Sequence, residues 1–172
     1  MSGPVEFSRM IAARHLPAKP VELVADEKER AALATRFGIS SVDHLRAEIS
    51  LEAHGAAIGA KGKLWADITQ PCAISGDDFA TSIEEALDFR FVHPANHATP
   101  DEEIELDAGD CDEIEFEGEQ FDLGEAVAQS LGLAIDPYAT GPGADQARRD
   151  AGLLDEGAAG PFAALAALKK DK

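Results

Sequence analysis

The side chains that could carry chemistry in this 172-residue chain are two cysteines, five histidines, 33 acidic residues and a short lysine–tryptophan pattern. Cys72 and Cys111 stand far apart, and neither belongs to a C-x-x-C pair. Ser75 occupies the third position after Cys72. A structural zinc site needs four closely spaced ligands, and His15, His44, His54, His93 and His97 supply no matching pattern. Buried or idle thiols are therefore expected, with no metal and no other cofactor. His93 and His97 share a stretch with Pro94 and Pro100, which reads as a connector. The acids from Asp101 to Glu119 lack the fixed ligand spacing and the glycine of a calcium-binding EF-hand loop.

Gly59-Ala60-Lys61-Gly62-Lys63 is glycine-rich but completes no phosphate-binding motif. Alternation places it inside a strand, where Lys61, Lys63 and Trp65 project to one side. Two lysines and an aromatic ring on one face can contact RNA phosphates and a base. The same trio also describes an ordinary solvated strand. There is no nucleophile elbow and no dinucleotide fingerprint, and nothing assembles an acid, a base and an oxyanion site. No enzymatic activity is expected.

Charge is the unusual feature. Fifteen Lys and Arg face 33 Asp and Glu, a formal net charge of -18. Residues 1–92 hold 10 basic and 14 acidic residues, residues 93–145 hold none and 15, and residues 146–172 hold 5 and 4. Such a chain would repel a nucleic-acid backbone over most of its surface. The dense block reads either as a solvated acidic face or as a docking surface for a basic protein. No run of about eighteen apolar residues suggests a membrane span. The start carries Glu6 and Arg9 without an apolar core, so no signal peptide is expected and the cytoplasm is the default location.

The elements that must position these groups can be read from period and caps. Val21–Ala25 reads as a short strand. Asp26 and Glu29 have capping-box spacing, and Gly38 ends a helix over 27–37. Leu45, Ala47, Ile49, Leu51 and Ala53 alternate with polar residues, a half-buried strand. A second strand over 57–70 and a third over 79–92 follow, with the first two as an antiparallel hairpin around Gly55. Glu85 interrupts the apolar face of the third strand and predicts a bulge or an edge there. Ile104–Leu106 and Ile114–Phe116 read as short strands. Asp122 and Glu125 repeat the capping-box spacing ahead of a helix over 123–134, which Asp136-Pro137 stops.

The expected fold is α+β. A mainly antiparallel sheet of about five or six strands, open or curled into a partly closed barrel, carries two helices. Residues 1–139 form the domain, 140–160 a Gly/Ala-rich flexible linker, and 161–172 a short amphipathic helix or tail with Phe162, Leu165, Leu168, Lys169 and Lys170.

Several blocks resemble the YceD-like family, the large ribosomal RNA subunit accumulation proteins. They are Glu6-Phe7-Ser8-Arg9, then Ala31-Leu33-Ala34-Arg36-Phe37-Gly38 with Leu45, and Gln70-Pro71-Cys72. The most specific is Phe121-Asp122-Leu123-Gly124-Glu125, running on to Leu131–Tyr138. The tail Pro161–Lys169 is similar to alphaproteobacterial members. The resemblance implies a non-enzymatic role in accumulation or processing of 23S rRNA and in large-subunit biogenesis. It implies no catalytic residues. Many relatives carry C-x-x-C where this chain has Cys72-Ala73-Ile74-Ser75, and no cysteine follows Tyr138 here.

The implied partners are a pre-50S particle and a basic ribosomal protein or assembly factor, with 23S rRNA met indirectly. The contact residues expected are Asp101, Glu102, Glu103, Glu105, Asp107, Glu113, Glu115 and Glu117, joined by the tail residues named above. Lys61, Lys63 and Trp65 are the candidates for any RNA contact. The competing expectation is a general acidic protein-binding adaptor with no ribosomal role.

Overall fold

The computed structural model describes residues 6–94 and 112–152. The elements are β1 Met10–Ala12, β2 Val21–Val24, α1 Glu27–Phe37, β3 Ser41–His54, β4 Ala57–Pro71, β5 Asp78–Val92, β6 Asp112–Glu115, β7 Gln120–Asp122, α2 Leu123–Ala134 and α3 Ala144–Asp150. Five strands form one sheet in the order β2-β3-β4-β5-β6, antiparallel except for the parallel β5–β6 pair. A separate antiparallel ribbon joins β1 to β7. The class is α+β as expected, but among the described residues the sheet does not close. β2 and β6 are its two ends, and the β1–β7 pair stands apart from it.

The long strands follow their alternation. In β3, Val42, Leu45, Ala47 and Leu51 are buried opposite Ile68, Ala66, Leu64 and Ala60 of β4, and the buried Ile49 lies opposite Gly62. Gly55 takes φ 65 at the first position of the two-residue turn between them, as a glycine-first primed turn requires. Gly62 has a stricter role. A Cβ there would sit 1.9 Å from the Glu48 carbonyl oxygen, so β3 and β4 approach this closely only because no side chain intervenes.

No bulge falls at Glu85. β5 pairs with β4 from Asp78 to Phe91 without a shift, whereas β3 shifts register between Val42 and His44. That extra residue lets both Val42 and Leu45 face the core. Among the described residues the stretch of β5 around Glu85 is flanked by β4 alone, the expected edge position, and the Glu85 side chain is exposed.

α1 starts on the full capping box, with Glu29 N–H donating to Asp26 at 2.9 Å and Asp26 N–H to Glu29 at 2.8 Å. It ends on Gly38 at φ 66. α2 makes only half of the expected box. Asp122 caps Glu125 N–H at 3.1 Å, but the Glu125 carboxylate turns away to Arg36. The helices and the β1–β7 ribbon cover the inner sheet face. Phe91 stacks on Phe121 at 4.3 Å between ring centroids, with Phe116 beside it at 5.6 Å. Leu33, Leu123, Val127 and Leu131 close the core.

The stretch read as a linker, 140–160, is described to residue 152 and there contains α3. Ala144 is buried, and Gly141 leaves no room for a Cβ beside the Phe79 ring. Ile104–Leu106 and residues 161–172 lie outside the described residues.

Candidate functional site

Residues that look scattered along the chain meet at one place. Asp122 receives the Ser8 hydroxyl at 2.6 Å and the Arg9 backbone N–H at 2.8 Å, besides the α2 cap. Leu123 N–H returns a bond to the Arg9 carbonyl at 3.0 Å. Gly124 then faces the bare backbone of Phe7–Arg9, where a Cβ would lie 2.7 Å from Arg9 N. Arg36 of α1 grips Glu125 through two nitrogens, at 3.0 and 2.8 Å, and reaches Glu6 at 3.4 Å. Arg9 holds Glu29 in the same forked way, at 2.6 and 3.0 Å, and donates to the Val24 carbonyl at 3.1 Å.

These pairs hold their charge firmly. The Arg9 hydrogen bond, opposed by burial, pulls the Glu29 carboxyl below its ordinary range, and Arg36 does the same to Glu125. Both guanidinium groups are pushed up in return. Forked Arg–carboxylate pairs join two parallel charge-assisted hydrogen bonds, which fixes geometry as well as adding energy. The cluster therefore clamps the N-terminal segment to both helices. The ion-pair roles of Arg9, Glu29 and Arg36 went unread in the sequence, where Glu29 showed only as a cap partner and the two arginines only within motif blocks.

A second pairing of blocks occurs at the β4–β5 turn. Gln70 is buried and donates its amide to the Asp136 carbonyl at 3.3 Å, while Ala73 N–H bonds to Ala139 O at 3.0 Å. Cys72 is buried there. Ser75 draws its thiol down to about 6, through its hydroxyl first and then its N–H, which lies 3.4 Å from Sγ. The Gly141 N–H adds to this, and desolvation opposes it. Among the described residues no cluster of three metal-ligating side chains forms.

The open face of the sheet carries the lysine–tryptophan row. Lys61 pairs with Asp88 at 3.1 Å and Lys63 with Glu84 at 2.6 Å, both across to β5. Arg46 lies over the Trp65 ring at 5.4 Å and binds Glu22 at 2.7 Å and Glu48 at 3.3 Å. Arg90 reaches Glu113 at 3.2 Å. The three residues thus share one face, each already engaged with a charged neighbour.

The acidic candidates divide. Glu113, Glu115 and Glu117 are exposed along β6 and the turn after it, with Glu119 next to them and 3.5 Å from Arg14. Asp101, Glu102, Glu103, Glu105, Asp107, Phe162, Leu165, Leu168, Lys169 and Lys170 lie outside the described residues.

A family model described as "Large ribosomal RNA subunit accumulation protein YceD" matches residues 60–169. The chain belongs to the YceD family. The match takes in the Cys72 turn, the acidic block, α2 and α3, while the Glu6–Arg9 segment that α2 clamps precedes it. The family's description names the accumulation of an RNA and no reaction. No curated protein and no solved structure matches the chain. Within the described residues, no helix of this YceD protein is long and apolar enough to cross a membrane.

Proposed function

We propose that this YceD protein is a non-enzymatic factor in the accumulation of 23S rRNA and the biogenesis of the large ribosomal subunit. The family match carries this reading. It acts by holding a basic ribosomal protein or assembly factor on the pre-50S particle, in the cytoplasm. The charge distribution supports that division of labour, because residues 93–145 contain 15 acids and no Lys or Arg. Glu113, Glu115 and Glu117, exposed on the described part of that block, would face the partner together with Asp101, Glu102, Glu103, Glu105 and Asp107. Opposite charge speeds encounter and makes it salt-sensitive.

RNA is met mainly through the partner. Lys61 and Lys63 would have to exchange Asp88 and Glu84 for phosphates, a trade between ion pairs of similar worth at an exposed face. Residues 1–139 act as the body and 161–172 as an arm, with Phe162, Leu165 and Leu168 as anchors and Lys169 and Lys170 beside phosphate. Sucrose-gradient sedimentation tests the reading. The protein should peak with immature large-subunit particles and leave them as salt rises. A protein that stays at the top of the gradient at low salt would instead be the general acidic adaptor.

A further inference from the structure

β5 is far longer than its cover on one side. β6 pairs only with Phe89–Val92, and among the described residues Asp78–Asp88 is paired through β4 alone. A flank left open over this length by the described residues presents a row of backbone N–H and C=O groups that can template another strand. Its side chains restrict what that strand would be. Asp78, Glu84, Glu85 and Asp88 lie within it, and it contains no Lys or Arg. Lys61 and Lys63 approach from β4, which still leaves two acids in excess. Beside the flank runs a cleft of about 260 Å³ between Glu85–Phe89 and the Ser130, Leu133 and Ala134 side of α2. Leu133 is 85% exposed there, an aliphatic side chain left in water.

We propose that this flank of β5 is a strand-addition site for an extended basic segment of a partner protein. Strand alternation sets the pattern. Side chains on the inner face of the added strand lie near Leu87 and Leu133 and should be aliphatic. Those on the outer face lie beside Asp78 and Glu84, two acids against the single Lys63, and should be lysine or arginine. The charge of the flank selects such a segment over an acidic one. The proposal rests on the assembly reading only for the source of the segment.

The test uses the full chain and a fluorescent peptide of about seven residues alternating lysine and valine. Binding should weaken with salt and should slow amide exchange within 79–88. Glu85→Lys and Leu133→Glu change exposed side chains, and each should weaken binding about tenfold or more. A peptide with proline at alternate positions, lacking the donors, should not bind. Binding without protection of 79–88, or unaffected by both substitutions, overturns the proposal. So does protection of 79–88 already present in the full chain without peptide, because the chain's own residues outside those described would then fill the flank. If the full chain never sediments with pre-50S particles yet the peptide protects 79–88, the assembly reading fails and the strand site stands. If it sediments but the peptide gives no protection, the strand site alone fails.

Discussion

Ser8 and Asp122 are 114 positions apart and share a 2.6 Å hydrogen bond. The same carboxylate caps α2 and receives the Arg9 N–H. One side chain therefore fastens the start of the described chain to a helix late in it. Around this bond the Glu6–Arg9, Arg36–Gly38 and Phe121–Glu125 blocks become one structure, which accounts for their residue types without any catalytic role.

Asp122→Ala removes three acceptor contacts and leaves the Arg9 N–H without its partner. The loss should be about 2 kcal/mol, since a lost cap and an unsatisfied amide each cost on the order of 1 kcal/mol. Urea unfolding measures it. Asp122→Ser, which can still cap, should recover part of the loss, and equal stability of the wild type and the alanine variant would refute the clamp.

Gly124→Ala tests the close approach by its sign. In an exposed helix the change should stabilise by about 1 kcal/mol. Here the new methyl would meet the Phe7–Arg9 backbone. Overpacking against backbone costs about 1–3 kcal/mol, so the variant should be less stable, with faster amide exchange at Arg9. A higher melting temperature would show that the segment does not lie where described.

Acid should loosen the same region. Folding holds Glu29 and Glu125 below their ordinary value of 4.5, so the native state binds fewer protons than the unfolded chain. The stabilisation from both pairs is complete above that value and fades as pH falls through the folded values. Glu29→Gln should cost about 1 kcal/mol near neutral pH, a discounted figure for a partly exposed pair. It should also flatten the fall in stability below pH 4.5. An unchanged acid limb in denaturation curves from pH 6 to 3 would count against the Arg9–Glu29 pair.

Cys72 should titrate near 6 because Ser75 and Gly141 stabilise its thiolate. Ser75→Ala removes the largest contribution and should move the titration upward. Thiolate absorbance in a Cys111→Ala background reads this directly. Identical titrations with serine and with alanine would show that the hydroxyl does not reach the sulfur.

Much of the fold is legible locally. α1 and α2 begin and end where Asp26, Gly38 and Asp122 place them, because caps act within one turn of their own residues. The faces of β3 and β4 follow from alternation, and their register from the two-residue turn at Gly55. The joint facing of Lys61, Lys63 and Trp65 is a consequence of period two and was equally readable.

The rest depends on residues distant in the chain. β1 and β7 are three residues each and have no pattern of their own; they exist because Met10 lies opposite Asp122. The sequence spacing promised Glu125 to its own cap, and Arg36 from another helix took it. The register shift at Val42–His44 serves the packing of Val42 and Leu45 rather than any local signal. Composition, charge and family membership were determined by the sequence itself, since they need only residue identity and order. Which carboxylate meets which arginine, and which strand flank lacks a neighbour among the described residues, was decided only in the tertiary structure, because those free energies arise from groups that become neighbours after the chain has folded.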